Sequence, residues 1–219
     1  MLYFCSLKIS IYTVMRQFII ANIIIILSIT TMAQNITLPK AEKDNPTTLM
    51  QALSKRHTGR DYQPQALSTQ QLSNLLWCAN GINRADGKRT APSARNCQEI
   101  DIYALTAEGI YLYLPEKHLL ELVKTGDYRS KIGMQPFTHT APLLLVYVAN
   151  YDRMKDMDDN ARTLYGATDC GNVCQNVYLY CAAAGLETVE LGSIHRDTFT
   201  QLVPVHGKVI LGQAVGMPK

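Results

Sequence analysis

The densest chemistry in the chain lies in seven residues, Ser54-Lys55-Arg56-His57-Thr58-Gly59-Arg60, which hold three cations, a histidine and two hydroxyls. Arg56 and Arg60 are four apart, so their guanidinium forks could bracket a phosphate, with Thr58 adding a hydroxyl. The same residues also suit a helix end. Leu49, Met50 and Leu53 form an apolar helical pattern ahead of them; basic side chains complement a helix C-terminus, and Gly59 would serve as its C′ glycine. Taken alone, the segment supports both readings. His57 reads as a phosphate or structural contact and not as a general base, and His195 as a helix-start or surface residue. A second stretch, Pro92-Ser93-Ala94-Arg95-Asn96, stands just before a strand pattern. Asn96 there offers a donor and an acceptor together, although a Pro-Ser-Ala opening is also an ordinary turn into a short helix. A third stretch, Gly192-Ser193, follows a strand pattern, and a glycine lets another group approach the backbone closely. Metal binding is a poor reading: there is no Cys-x-x-Cys pair, the five histidines are scattered, and the acidic stretch 152–159 lacks the glycine and terminal glutamate of a calcium loop.

The elements that must position these residues follow from periodicity. A helix with Asn45 as its cap and Pro46 at its first position is expected to run to about His57. Ser68-Thr69-Gln70-Gln71 is a capping-box pattern ahead of the stripe Leu72, Leu75, Leu76 and Ala79, and Gly81 closes that helix. A polar loop, 82–92, carries Arg84, Lys88 and Arg89. Strands are expected at 100–105 and 110–114 around a Glu108-Gly109 turn. Residues 119–123 read as a short helix. Residues 142–149 are continuously apolar, as a strand buried on both faces would be. Residues 163–184 form the longest helical pattern, small and apolar over much of its surface, which suits the centre of a fold or a dimer interface; Gly185 ends it. A strand at 188–191, a helix at 197–202 and a strand at 209–216 complete the chain.

With 219 residues, 47% hydrophobic and 18% charged, the chain suits one globular domain. Its first 33 residues differ in kind. They contain Lys8 and Arg16, no acid, and an apolar run at 18–29 broken by Asn22 and Ser28, before Thr31-Met32-Ala33 and Gln34. That is the pattern of a secretory signal peptide, with Met15 as a plausible start; the run 19–29 is short for spanning about 30 Å. The expected organisation is therefore a signal peptide at 1–33 cleaved after Ala33, a mature N-terminal segment at 34–44 and a domain at 45–219, exported and periplasmic. Loss of two cations and no acid lowers the net charge from +3 to +1, which leaves no electrostatic footprint for nucleic acid. Five cysteines follow the leader, an odd number that leaves at least one thiol unpaired within the chain. Cys170, Cys174 and Cys181 share helical spacing and read as small hydrophobes.

Four segments together resemble the nitroreductase family of FMN enzymes. They are Arg56-His57-Thr58 with Arg60; Pro92-Ser93-Ala94-Arg95-Asn96; Asp169-Cys170-Gly171 through Gln175-Asn176 to Gly185-Leu186; and Leu191-Gly192-Ser193. The closing Leu211-Gly212-Gln213-Ala214-Val215-Gly216 is similar as well, most of all to the branch with the thiazole/oxazole peptide-tailoring oxidases. The resemblance implies an α+β fold with a mixed, mainly antiparallel sheet flanked by helices. It also implies a homodimer formed through residues 163–184, with FMN between the subunits. By the same resemblance, Arg56, His57, Thr58 and Arg60 meet the FMN phosphate, with Lys219 as a late basic contact. Pro92, Ser93, Ala94 and Asn96 lie along the isoalloxazine ring, and the backbone of Gly192 and Ser193 lies near its reactive nitrogen. Arg95 replaces the family's usual glycine. The implied activity is ping-pong transfer of two electrons from NAD(P)H to a small acceptor such as a nitroaromatic or quinone. The alternatives are an oxidase of a peptide heterocycle and an exported flavin-binding protein without turnover. Without a twin-arginine pair, FMN would be acquired after translocation.

Overall fold

In the computed structural model, which describes residues 34–219, the strands in chain order are β1 (Ile36–Thr37), β2 (Ile100–Leu105), β3 (Gly109–Leu114), β4 (Leu119–Thr125), β5 (Leu143–Asn150), β6 (Glu187–Leu191) and β7 (Gly207–Gly216). The helices are α1 (Leu49–Lys55), α2 (Thr69–Asn80), α3 (Arg129–Ile132), α4 (Asp159–Ala184) and α5 (Arg196–Leu202), with 3-10 turns at Ala94–Asn96, Pro136–His139 and Tyr151–Arg153. The expected signal segment lies outside the described residues.

The apolar run expected as a doubly buried strand is β5, and it organises the sheet. The order is β1-β4-β3-β2-β5-β7-β6, and every described pairing is antiparallel. Successive side chains of a strand point to opposite faces. Leu143, Leu145, Tyr147 and Ala149 therefore join a core with Leu72, Leu75 and Leu76 of α2 and Val173, Cys174 and Val177 of α4. Leu144, Val146 and Val148 join a second core with Ile132 of α3 and Phe199 of α5. With both faces covered by helices, β5 is buried throughout except at Asn150.

The local signals explain most boundaries. Ser68 caps α2 through a reciprocal box with Gln71. Asp158 accepts the Ala161 amide and starts α4 four residues before the expected position, and Gly185, left-handed at φ 68°, ends it. Two expectations are corrected. First, the 45–57 helix begins later, at Leu49. Thr48 is its cap, paired with Gln51, while the Asn45 carboxamide accepts the Thr47 amide in a turn of its own. Second, residues 119–123 are strand β4 and not a helix, because antiparallel pairing with β3 on one side and β1 on the other overrides the local pattern. The 34–44 segment also contributes to the sheet and core: β1 pairs with β4, and Leu38 and Ala41 are buried. A hydrogen-bonded chain fastens it. Tyr113 OH lies 3.0 Å from His118 Nδ1, His118 Nε2 lies 2.7 Å from Ser73 Oγ, and Ser73 donates to the Pro39 carbonyl at 2.6 Å. Because that hydroxyl is committed to a carbonyl, this serine–histidine pair is a fastening and not a nucleophile.

Candidate functional site

The cationic segment leaves α1 and lies along the start of β6. Arg56 is the helix C-cap, in a non-left-handed conformation. Gly59 is therefore not the expected C′ glycine. Its amide donates to the Thr188 carbonyl at 3.0 Å, and a β-carbon there would collide with the Glu187 carboxylate. A side chain at this position would have to displace the Glu187 carboxylate. His57 sits between two acceptors: Nδ1 is 2.9 Å from the Lys55 carbonyl and Nε2 is 2.9 Å from Glu187 Oε1. A ring with acceptors at both nitrogens favours the doubly protonated form. The Lys55 carbonyl first and Glu187 second raise its pKa above the usual 6.5, with Arg56 opposing. His57 is thus spent on Glu187. Thr58 Oγ1 lies 3.3 Å from the Tyr178 hydroxyl of α4, and the Arg56 guanidinium stands 5.4 Å over the Tyr178 ring. Among the described residues neither Arg56 nor Arg60 forms an ion pair, and both are exposed. The last residues of the sequence return to the same place. Tyr62 bridges to Pro218, and the Lys219 amide donates to the Asp61 carbonyl at 3.3 Å. Lys219 is thereby brought beside the end of the cationic segment, which Arg56 and Thr58 join to α4 at Tyr178.

The Pro92–Asn96 stretch is built differently. Arg95, Asn96 and Gln98 all have positive φ, at 52°, 55° and 50°, a conformation that costs a residue with a side chain roughly 1–2 kcal/mol. Arg95 thus adopts the backbone that the family's glycine would take freely. Many contacts hold the loop in this shape. Asp169 of α4 accepts the Ala94 amide at 2.8 Å, and Ser93 Oγ accepts the Gln98 amide at 2.9 Å. Arg89, itself buried, donates to Gln98 Oε1 at 3.1 Å, and Arg153 donates to the Gln98 carbonyl at 2.8 Å. Asn96 is exposed, and its carbonyl oxygen accepts from Gln98 Nε2 at 3.3 Å, leaving its amide donors toward solvent. Tyr178 and Asp169, the α4 anchors of the two regions, are nine residues apart, roughly 14 Å along the axis. One chain therefore does not bring the cationic cluster and this loop into contact through these anchors.

Gly192 and Ser193 are exposed between the buried Leu191 and Ile194. A β-carbon at Gly192 would meet nothing within 4 Å, so the backbone there faces open space. Glu190, just before them, donates its amide to the Tyr178 hydroxyl at 2.9 Å. His195 begins α5 as expected, is exposed, and its amide donates to the Ile132 carbonyl. The five cysteines among the described residues are free, with Cys170, Cys174 and Cys181 buried, and no described cluster could hold a metal ion. Sequence reasoning missed Glu99, which is fully buried beside Asp169. The one available signal was an acid directly ahead of a strand of mostly apolar residues.

An antiparallel sheet with helices on both faces makes this an α+β protein, and comparison with known proteins gives the family. The nitroreductase family model matches residues 53–217. The chain belongs to the nitroreductase family and is an oxidoreductase; members of the family depend on a flavin. It is 29% identical over 178 residues to a protein of Methanocaldococcus jannaschii provisionally named a nitroreductase, covering 77% of this chain and 90% of that one. A Ralstonia eutropha crystal structure, also provisionally named a nitroreductase, superposes with a TM-score of 0.82 at 39% identity, over 87% of this chain and 92% of that one. The NADPH:FMN oxidoreductase of Vibrio harveyi, solved with NAD+, shares the fold at a TM-score of 0.59 and 19% identity, over 78% of this chain and 69% of that one.

Proposed function

We propose that this chain is an FMN enzyme that moves two electrons, in two half-reactions, from a reduced nicotinamide to a small oxidised acceptor such as a nitroaromatic or quinone. The observation that carries the reading is the exposed set Arg56, Arg60 and Lys219. It is gathered by two chain segments and has no ion-pair partner among the described residues. Such a set fits one terminal phosphate. The open space over Gly192 fits the approach of a planar ring to the backbone. When bound, the flavin supplies the two-electron chemistry. The protein's part is positional: Arg56, Arg60 and Lys219 neutralise the phosphate, and the Thr58 hydroxyl hydrogen-bonds to it. Pro92, Ser93, Ala94 and Asn96 form a rigid edge, and Gly192 and Ser193 present backbone amides. His57 supports the cluster through Glu187.

The separation of the two regions along α4 supports a site completed by a second copy. Large apolar side chains are exposed where such a copy would sit: Leu49 and Met50 on α1 are 64% and 73% exposed, and Leu164 on α4 is 62% exposed. Burial of this surface would stabilise a homodimer. We also infer export with removal of the leader, on the basis of its sequence pattern; protein purified from the native host should begin at or near Gln34. The test of function is direct. The purified protein should take up FMN, sediment as a dimer and, with oxygen excluded, turn over NADH or NADPH only when a nitroaromatic or quinone is present. Failure to bind FMN, or release of FAD on heating, would refute the reading.

A further inference from the structure

Beneath the strained loop lies a group that electron transfer does not explain. Glu99 is completely buried, and both of its carboxylate oxygens lack a donor among the described residues. Its carboxyl lies next to that of Asp169, also buried, and Asp169 accepts the Ala94 amide at 2.8 Å. Two ionised carboxylates cannot satisfy one another. With one proton on Glu99, its O–H can donate to Asp169, Asp169 keeps its second oxygen for Ala94 N–H, and only the other Glu99 oxygen is left without a donor among the described residues.

We propose that Glu99 and Asp169 share one proton, and that this proton holds the 93–98 loop in its left-handed shape. The pair is a positioning device. Glu99 acts through Asp169, Asp169 through the Ala94 amide, and the loop through Asn96 and its backbone on whatever lies against it. The groups facing Glu99 support this arrangement. Burial is the first influence; it and the neighbouring Asp169 push the Glu99 carboxyl up to about 7, against the dipole of its own backbone N–H and the Arg153 charge, which oppose them. Arg153 is itself engaged by Asp101 at 2.8 Å and by the Gln98 carbonyl. Cys97 and Arg95 are the remaining titratable or charged neighbours in the loop. A carboxyl raised in the folded state stabilises fully below its unfolded value of 4.5 and loses that contribution as pH rises through about 7. Above that, a second buried negative charge faces Asp169, and the loop loosens.

That the loop touches a flavin rests on the function proposed above; the shared proton does not. The test therefore starts with the flavin-free protein. Exchange of the Ala94 amide is followed by NMR between about pH 5 and about pH 9 and corrected for the intrinsic pH dependence of exchange. Protection in the wild type should fall by roughly tenfold or more through neutral pH, the scale of one pKa unit. In Glu99→Gln the amide donates to Asp169 at every pH, so the step should vanish. Asp169→Asn, which donates to Glu99 and accepts from Ala94, should also abolish it and covers the case in which the first variant does not fold. FMN titrations over the same range should show affinity falling in the wild type alone. Flat protection in the wild type, or a step that survives in both variants, would overturn the proposal. A step that vanishes in the variants while FMN affinity stays constant upholds the shared proton and counts against the flavin site.

Discussion

The two regions that α4 anchors are opposites in construction. At Tyr178 the Arg56–Arg60 segment is open. Its cations are exposed, one hydroxyl contact and one ring contact tie it to α4, and its backbone is extended or relaxed. At Asp169 the 93–98 loop carries three unfavourable backbone conformations and is gripped by Asp169, Ser93, Arg89 and Arg153. The difference fits the two roles proposed for them, a phosphate contact and a ring contact. A phosphate is a charge that several flexible cations can meet in many arrangements, so little preorganisation is required. The edge of a planar ring has donors and acceptors at fixed angles, and only a backbone fixed in advance can match them.

Substitutions can break this comparison or sharpen it. Asp169→Ala should have the largest effect, because it removes the charge-bearing acceptor of the Ala94 amide. Roughly 2–3 kcal/mol of stability should be lost, with FMN and riboflavin affinity falling alike. Calorimetric unfolding and paired flavin titrations check both. Arg60→Ala should cost about 2 kcal/mol in FMN binding, roughly thirtyfold, and leave riboflavin, which has no phosphate, unchanged. Equal losses of both flavins in that variant would erase the distinction between the regions. Arg95→Gly should relieve left-handed strain and raise the unfolding free energy by up to about 1 kcal/mol, partly offset by the greater freedom of the unfolded glycine. Denaturant titration reads it, and a loss of stability would mean that the Arg95 side chain makes a contact worth more than the strain.

The smallest effect belongs to the open region and shows only as a pH dependence. The raised pKa of His57 means that its pair with Glu187 stabilises the fold fully below the usual value of 6.5 and loses that contribution as pH rises through the raised value. Thermal midpoints of wild type and Glu187→Gln should therefore differ in acid and converge in mild alkali. A gap that widens with pH would contradict the pairing.

The candidate segments and most element ends are legible in the sequence because each is local. Arg56 and Arg60 announce a charge cluster by spacing, Ser68 and Gly185 announce helix ends, and the 142–149 run announces a strand. What escaped depends on distant partners. Residues 119–123 pattern as a helix until β3 and β1 are present to pair with them. Gly59 looks like a helix terminator until Glu187, more than a hundred residues later, packs over it. Glu99 is one acid among 18 acidic residues of the chain, and only the fold shows that it is buried against another carboxyl.

The position of β7 has a consequence for how the chain is made. It is the last strand in sequence, yet it lies between β5 and β6. Until residues 207–216 join the sheet, β5 has β2 on one side and nothing on the other, and β6 has no strand beside it. The exposed edge is then Leu143 to Ala149, a flat apolar template of the kind that pairs with other unfinished chains. Closing it requires contacts across about sixty residues of sequence, which are slow to form. Productive folding of this protein should therefore depend on a chaperone, or on low chain concentration, during the interval between pairing of β2 with β5 and arrival of β7.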